Sequence, residues 1–237
     1  IIDDVDAGDM GATLEQIPPR YDYAVRIEGP LLAAIHASTR QIWQLVRWAR
    51  LRRRLLEPPR RAPDDTPRGA VRAAFVVRDN LRHRRDIEEA YLDAIASARQ
   101  EVVLASAYFL PGRRFRHALA GAAKRGVKVT VLLQGRVEYR LLHHATQALY
   151  GALLGSGIRI FEYHKSFLHA KVAVVDCCWS TVGSSNIDPF SLLMAREANI
   201  VVADAAFGAA LRASLQGAMD AGAREVSHEG WRTAPLP

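Results

Sequence analysis

The chain has few of the residues that build disulfide frameworks, metal centres or membrane spans. Its two cysteines, Cys177 and Cys178, are adjacent and therefore cannot form a disulfide framework. No cysteine and histidine cluster has the spacing of a zinc site, and no glycine-rich loop resembles a nucleotide-binding loop. No apolar run approaches the roughly 18 residues that a transmembrane helix needs. We therefore expect a protein that uses no metal or other cofactor and has no membrane-spanning helix.

Excess charge is confined to one segment. The 237 residues carry a formal net charge of +7, and residues 31–61 hold eight arginines against one glutamate. The rest of the chain is therefore balanced. Apolar residues at helical spacing, with two tryptophans nearby, predict a basic amphipathic helix here, which suits an anionic membrane surface. A helix that packs on the protein and ends in a solvated arginine tail explains the pattern equally well.

The segment from His169 to Asn186 holds residue types that serve phosphodiester chemistry. It reads H-x-K-x(4)-D and then, after six residues, G-S-x-N. A histidine can attack phosphorus or protonate a leaving alkoxide, and lysine, serine and asparagine can hold phosphate oxygens. The alternation over 168–175 predicts a strand with His169 and Lys171 on one side. The alternative is a polar strand edge with a salt bridge between Lys171 and Asp176.

This signature resembles that of the phospholipase D superfamily. Four further segments are similar to bacterial cardiolipin synthases of the B type: DYAVRIEGP at 22–30, VVRDN at 76–80, AYFLPG at 107–112 and GSSNIDPFSL at 183–192. The likeness runs over roughly residues 20–228, so it covers most of the chain.

The resemblance implies a role for each residue of the signature. His169 would be one of two active-site histidines. Lys171 and Asn186 would grip the phosphoryl oxygens with help from Ser184, whereas Asp176 would support the site. Glu197 lies 28 residues after His169, where the superfamily places a carboxylate that hydrogen-bonds the histidine. Such a bond would fix the tautomer, although an ordinary surface charge is the alternative interpretation of Glu197.

The superfamily chemistry needs two H-x-K motifs, one for the phosphohistidine and one for the general acid. This chain has one, because none of its other seven histidines lies two residues before a lysine. We interpret the chain as the C-terminal part of a longer synthase, truncated within its first lobe. The missing lobe or a second chain would then supply the other histidine.

The implied function is phosphatidyl transfer from one phosphatidylglycerol to another through a phosphohistidine, which gives cardiolipin. The expected partners are phosphatidylglycerol and an anionic membrane surface, at the cytoplasmic face of the bacterial inner membrane. A homodimeric phosphodiesterase or nuclease of the superfamily is one alternative, and an inactive lobe that binds anionic lipid is another. Nucleic acid is disfavoured as a partner because the positive charge lies outside the motif domain.

Strand and helix patterns alternate along the chain, which predicts an α/β fold: a three-layer α/β/α sandwich around a central mixed sheet. Residues 1–56 are expected to be the remnant of a first lobe, with a strand around Tyr23 to Glu28 and the basic helix. The proline- and charge-rich stretch 57–70 reads as a linker. Residues 71–237 would form the catalytic lobe, with one long helical run over 141–154 and a last helix capped by Asp204.

Overall fold

The computed structural model describes residues 19–49 and 62–227 of the chain. An eight-stranded sheet forms its centre. The strands are β1 (Arg72–Arg78), β2 (Glu101–Ser106), β3 (Lys128–Gln134), β4 (Arg159–Tyr163), β5 (Lys171–Val175), β6 (Trp179–Gly183), β7 (Glu197–Ala203) and β8 (Ala223–Glu225). Their order in the sheet is β1-β7-β6-β5-β2-β3-β4-β8. The strands β2, β3 and β4 run parallel, and the other neighbours pair antiparallel, so the sheet is mixed as predicted.

Helices cover both faces of this sheet. They are α1 (Leu31–Ala49), α2 (Asp86–Ser97), α3 (Arg113–Lys124), α4 (Arg140–Gln147), α5 (Tyr150–Gly155), α6 (Pro189–Leu193) and α7 (Ala205–Gly222). Asp204 caps α7 as predicted, since its carboxylate accepts a 2.8 Å hydrogen bond from the backbone N–H of Phe207. The single helical run expected over 141–154 is divided into α4 and α5, and α6 and β8 were not predicted.

The central strands bury both of their faces, which explains their nearly continuous apolar sequences. In β2, Val102 and Leu104 pack into the cluster that includes α2, α3 and α5, whereas Val103 and Ala105 pack into the cluster under α7. Helices therefore lie on both sides of one sheet. The predicted three-layer α/β/α sandwich is confirmed.

The strand expected around Tyr23 to Glu28 is wrong. Residues 22–28 form no regular strand, and the backbone meets the rest of the protein through an isolated bridge between Tyr21 and Leu168. The alternation of this segment has another cause: Tyr21, Tyr23 and Val25 pack against the cluster under α7, and the residues between them are exposed. The segment lies over the core as an extended stretch that adds no strand to the sheet.

The predicted basic helix is α1, but most of its arginine tail lies in 50–61, outside the described residues. The linker expected at 57–70 is described only from residue 62, where the chain has no regular secondary structure. Within 19–49 and 62–227, none of the helices combines the length and hydropathy that crossing a bilayer requires.

Candidate active site

One edge of the sheet gathers the residues of the signature. Strand β5 runs antiparallel to both β2 and β6, so its first residue lies beside their last residues. Lys171 at the start of β5 pairs with Ser106 at the end of β2, and Gly183 ends β6. The loops that follow β2 and β6 therefore meet the segment that precedes β5. His169, Lys171, Ser184 and Asn186 all lie at this edge.

His169 is held by a segment from far upstream in the chain. Its backbone N–H donates to the carbonyl of Tyr21 at 2.8 Å, and its Nδ1 lies 2.7 Å from Oδ2 of Asp22, 147 positions away. The ring is about a third exposed. A carboxylate on Nδ1 fixes the tautomer and stabilises positive charge on the imidazole. Nε2 is then the nitrogen that can act on phosphorus.

Lys171 is buried at the bottom of this edge, with 6% of its surface exposed. Its ammonium donates to the carbonyl of His169, so the two side chains belong to one local arrangement. Burial lowers the pKa of Lys171 to about 8, although the negative charges of Asp22 and Glu197 oppose that shift. A partly desolvated ammonium is a strong donor to an incoming phosphoryl oxygen.

Asn186 and Gly183 are positioned by packing at the end of β6. The side-chain oxygen of Asn186 accepts from the backbone N–H of Tyr108 at 3.3 Å, so its amide nitrogen is the end that can donate to a ligand. A Cβ on Gly183 would stand 2.2 Å from the side-chain oxygen of Asn199 and 2.6 Å from the carbonyl oxygen of Ala198. The glycine of G-S-x-N is therefore required by close packing.

No hydrogen bond or ion pair joins Glu197 to His169 in the part of the chain that the structure describes. Glu197 accepts a hydrogen bond from the hydroxyl of Ser184, and the carboxylate beside His169 is Asp22 instead. Burial raises the pKa of the Glu197 carboxyl, opposed by hydrogen bonds from Ser184 and Ser191. The expected bond from Glu197 to His169 is thus replaced by a bond from Asp22.

Asp176 lies at the opposite edge of the sheet from His169. It follows the last residue of β5, and a strand of this length places it about 16 Å from Lys171. Its carboxylate accepts from the backbone N–H groups of Arg99, Gln100 and Glu101, each at 2.8 Å. The structure therefore does not bring Asp176 together with the other signature residues, and the Lys171–Asp176 salt bridge is equally excluded by this separation.

Asp22 is the site residue that sequence reasoning missed. It stands in the DYAVRIEGP segment, but no local pattern pairs it with a histidine 147 positions later. The segment resembles cardiolipin synthases, but that likeness does not single out Asp22 within it. Among the described residues no group of three or more side chains could hold a metal ion.

Comparison with known proteins identifies the family of this fold and signature. Residues 91–218, more than half of the chain, match the family model described as cardiolipin synthase, PLD-like domain. Cardiolipin synthase B of Escherichia coli (strain K12) is 39% identical over 217 residues, which cover 87% of this chain and 49% of that protein. Cardiolipin synthase A of Pseudomonas entomophila is 33% identical over 91% of this chain and 43% of its own length. The chain spans about half the length of these relatives.

Solved structures support the fold. The phospholipase D family member Nuc from Salmonella typhimurium superposes with a TM-score of 0.56 at 20% identity, over 66% of this chain and 99% of that one. Phosphatidylserine synthase from Haemophilus influenzae superposes with a TM-score of 0.58 at 11% identity, over 72% of this chain and 43% of its own. These structures show the fold, and the match to the family model shows that the chain belongs to the family of cardiolipin synthase, phospholipase D-like domains.

Proposed function

We propose that this chain supplies one catalytic half of a cardiolipin synthase, which transfers a phosphatidyl group between two phosphatidylglycerol molecules. The observation that carries the proposal is the contact of His169 Nδ1 with Asp22, beside the buried ammonium of Lys171. This arrangement presents Nε2 as a nucleophile or proton donor next to a phosphate-binding cation. The relatives named cardiolipin synthase A and B support the choice of substrate.

The reaction then proceeds in two displacements. Nε2 of one histidine attacks the phosphorus of phosphatidylglycerol. The bond from phosphorus to the oxygen of the headgroup glycerol breaks, the second histidine donates its proton to that oxygen, and glycerol leaves. The second histidine next removes a proton from a hydroxyl of another phosphatidylglycerol. That oxygen attacks phosphorus, the P–N bond breaks, and cardiolipin leaves. Lys171, Asn186 and Ser184 would hold the phosphoryl oxygens as charge builds on them.

The second histidine must come from outside this sequence, from a preceding lobe or from a second chain. Asp22 already serves His169, and Glu197 is half-buried without a histidine partner among the described residues. Both carboxylates interact electrostatically with Lys171, which supports placing them in one site. We expect Glu197 to orient the second histidine as Asp22 orients His169.

The test is the conversion of phosphatidylglycerol to cardiolipin by the synthase that contains this chain and its second histidine. Changing His169 to alanine should reduce the rate by about 10²–10⁴-fold or more, since a positioned acid, base or nucleophile contributes at least that much. The matched control is His117→Ala, which alters a histidine on the outer helix α3. A variant at His169 that keeps more than about a tenth of the rate would rule out the role proposed for it.

A homodimeric phosphodiesterase or nuclease is the second candidate. One observation favours it. The phospholipase D family member Nuc is matched over 99% of its chain, so a chain of this fold can consist of a single lobe. Plasmid nicking by this chain alone separates the two functions, because a homodimer completes its own site whereas half of a synthase does not. An inactive lipid-binding lobe is indicated if the chain binds anionic vesicles and the complete synthase keeps its rate in the His169→Ala variant.

For its place in the cell we propose peripheral association with the cytoplasmic face of the bacterial inner membrane. Supporting this, the second half of α1 exposes apolar side chains, with Trp48 79% exposed and Leu45 46% exposed. The arginines that follow α1 in the sequence would add attraction to anionic lipid.

A further inference from the structure

The large apolar side chains that remain exposed are unevenly distributed. Outside α1, eight of them are exposed in the described part of the chain, and seven of the eight lie on loops or at helix ends at the edge of the sheet that holds His169. The eighth, Val71, precedes β1 at the opposite edge. We call this surface the active-site rim and define it as residues 79–85, 135–141 and 184–196.

The apolar residues of the rim flank the site on two sides. Val137, Tyr139 and Leu141 follow β3 on one side. On the other side, Leu81 follows β1, whereas Phe190, Leu193 and Met194 lie on or just after α6. Neighbouring strands are about 4.8 Å apart, so both groups lie about 10–15 Å from Lys171 in β5. A phosphate bound at Lys171 would thus have exposed apolar side chains on both sides.

Hydrogen bonds of Arg78 and Asp79 connect the two segments that carry Leu81 and the apolar residues of α6. Arg78 is 2% exposed and donates to the carbonyls of Leu193 and Ala195, and at 2.7 Å to the side chain of Asn80. It therefore ties the end of α6 to the loop after β1. The carboxylate of Asp79 accepts hydrogen bonds from three backbone N–H groups of that loop at 2.8–3.0 Å, and these bonds stabilise the loop conformation. In this conformation the side chain of Leu81 is 81% exposed.

The charge of the rim indicates what kind of partner it binds. Five of its arginines are exposed: Arg82, Arg84, Arg85, Arg140 and Arg196. Its three acidic residues are already hydrogen-bonded: Asp79 and Asp188 accept backbone N–H groups, and Glu138 binds Arg20 and Tyr108. In total the rim holds six arginines against three acidic residues. Exposed apolar residues combined with this net positive charge match the interface of an anionic bilayer, where the apolar groups enter the acyl boundary and the arginines contact lipid phosphates.

We propose that the active-site rim is the surface by which this domain inserts into an anionic lipid leaflet, so that His169 and Lys171 stand at the depth of the lipid phosphates. The inference rests on the proposed function, because a phosphatidyl group must reach His169 without leaving the bilayer entirely. It assigns membrane contact to the rim in addition to α1. A second copy of this chain, or a preceding lobe, is the competing occupant.

The experiment is co-sedimentation of the chain with vesicles of phosphatidylglycerol and phosphatidylcholine, and with phosphatidylcholine vesicles alone. The double variant Phe190→Asp/Leu193→Asp should bind the anionic vesicles about tenfold more weakly or worse, because binding scales with buried apolar area. Leu81→Asp tests the other segment independently should the double variant fail to fold, as judged by circular dichroism. Val71→Asp is the matched control, since Val71 is 57% exposed at the opposite edge, and it should bind like the unaltered chain.

Two results would overturn the inference. Rim variants could bind like the unaltered chain while Trp48→Asp abolishes binding, which would assign the membrane contact to α1. Alternatively, the rim variants could dissociate a dimer, measured by light scattering, without changing vesicle binding. Titration with glycerol phosphate, followed by nuclear magnetic resonance, tests the proposed function separately: absence of saturable shifts at Lys171 counts against the phosphate site itself, whatever the vesicles show.

Discussion

Replacing Asp176 by asparagine should lower the free energy of unfolding and leave phosphate binding intact. The carboxylate accepts three backbone N–H groups, each at 2.8 Å, from the turn between α2 and β2. It also stands in the β5–β6 turn, where Asp176 and Cys177 have φ of 50° and 53° and Cys178 N–H bonds the carbonyl of Val175 at 3.0 Å. Asp176 thus joins two turns at the edge opposite the site.

The size of the effect follows from those three bonds. A hydrogen bond to a charged group contributes roughly 1.5–3 kcal/mol net, and asparagine keeps one acceptor oxygen but loses the charge. Asparagine also tolerates the left-handed conformation, so the turn itself should survive. Because the group is partly exposed, solvent screens the interaction, and we expect a loss of about 2 kcal/mol.

The stability from Asp176 also has a defined pH dependence. Burial alone would raise the pKa of this carboxyl, but hydrogen bonds from the backbone N–H groups of Glu101, Arg99 and Gln100 hold it below its ordinary value. A pKa lower in the folded state means that the stabilisation is present above the unfolded pKa of about 3.9 and is lost as pH falls through the folded value.

Urea unfolding at pH 7 and at pH 3 measures both effects, with Asp93→Asn on the exposed face of α2 as the control. The difference between Asp176→Asn and the unaltered chain should shrink at pH 3, and Asp93→Asn should stay within about 0.5 kcal/mol of the unaltered chain at both values. An Asp176→Asn variant of unchanged stability that no longer binds glycerol phosphate would refute this reasoning and return Asp176 to the site.

Two further predictions concern the site itself. Binding of glycerol phosphate should weaken as pH rises through about 8, because the buried Lys171 loses its charge there. The variant Lys171→Arg should remove this decline, since arginine stays charged. An unaltered decline in that variant would contradict the assignment of Lys171 as the phosphate-binding cation. Asp22→Asn in the active synthase should reduce turnover by about 10²–10⁴-fold and abolish the Nδ1–H proton resonance of His169. The control variant Asp65→Asn should change neither quantity. A resonance that persists in Asp22→Asn would show that Asp22 does not orient the ring.

Local patterns were sufficient to predict most of this fold. The alternation of strand and helix patterns predicted the mixed sheet and its two helical layers, because central strands covered on both faces have nearly continuous apolar sequences. The strand predicted around Tyr23 to Glu28 was wrong because packing under α7 gives the same alternation of buried and exposed side chains as pairing in a sheet. Alternation reports which side chains are covered and does not report what covers them.

The site was predictable only where the chain itself brings residues together. The alternation of apolar and polar residues over 168–175 predicted His169 and Lys171 on one side, and the structure places G-S-x-N at the end of β6, the strand adjacent to β5. Asp176 belongs to the same motif, but the length of β5 carries it to the far edge. Asp22 could not be found from local pattern, because its contact with His169 closes a loop of 147 residues.

The contact between Asp22 and His169 limits how relatives of this protein can be recombined. A chimera joined at the proline-rich stretch would take the histidine from one parent and the carboxylate that aligns it from the other. Crossover points upstream of Arg20 keep both partners, together with the Tyr21 backbone that anchors them, in a single inherited block. Exchange of segments between synthases should therefore succeed when the joint lies upstream of residue 20 and fail when it lies between Asp22 and His169.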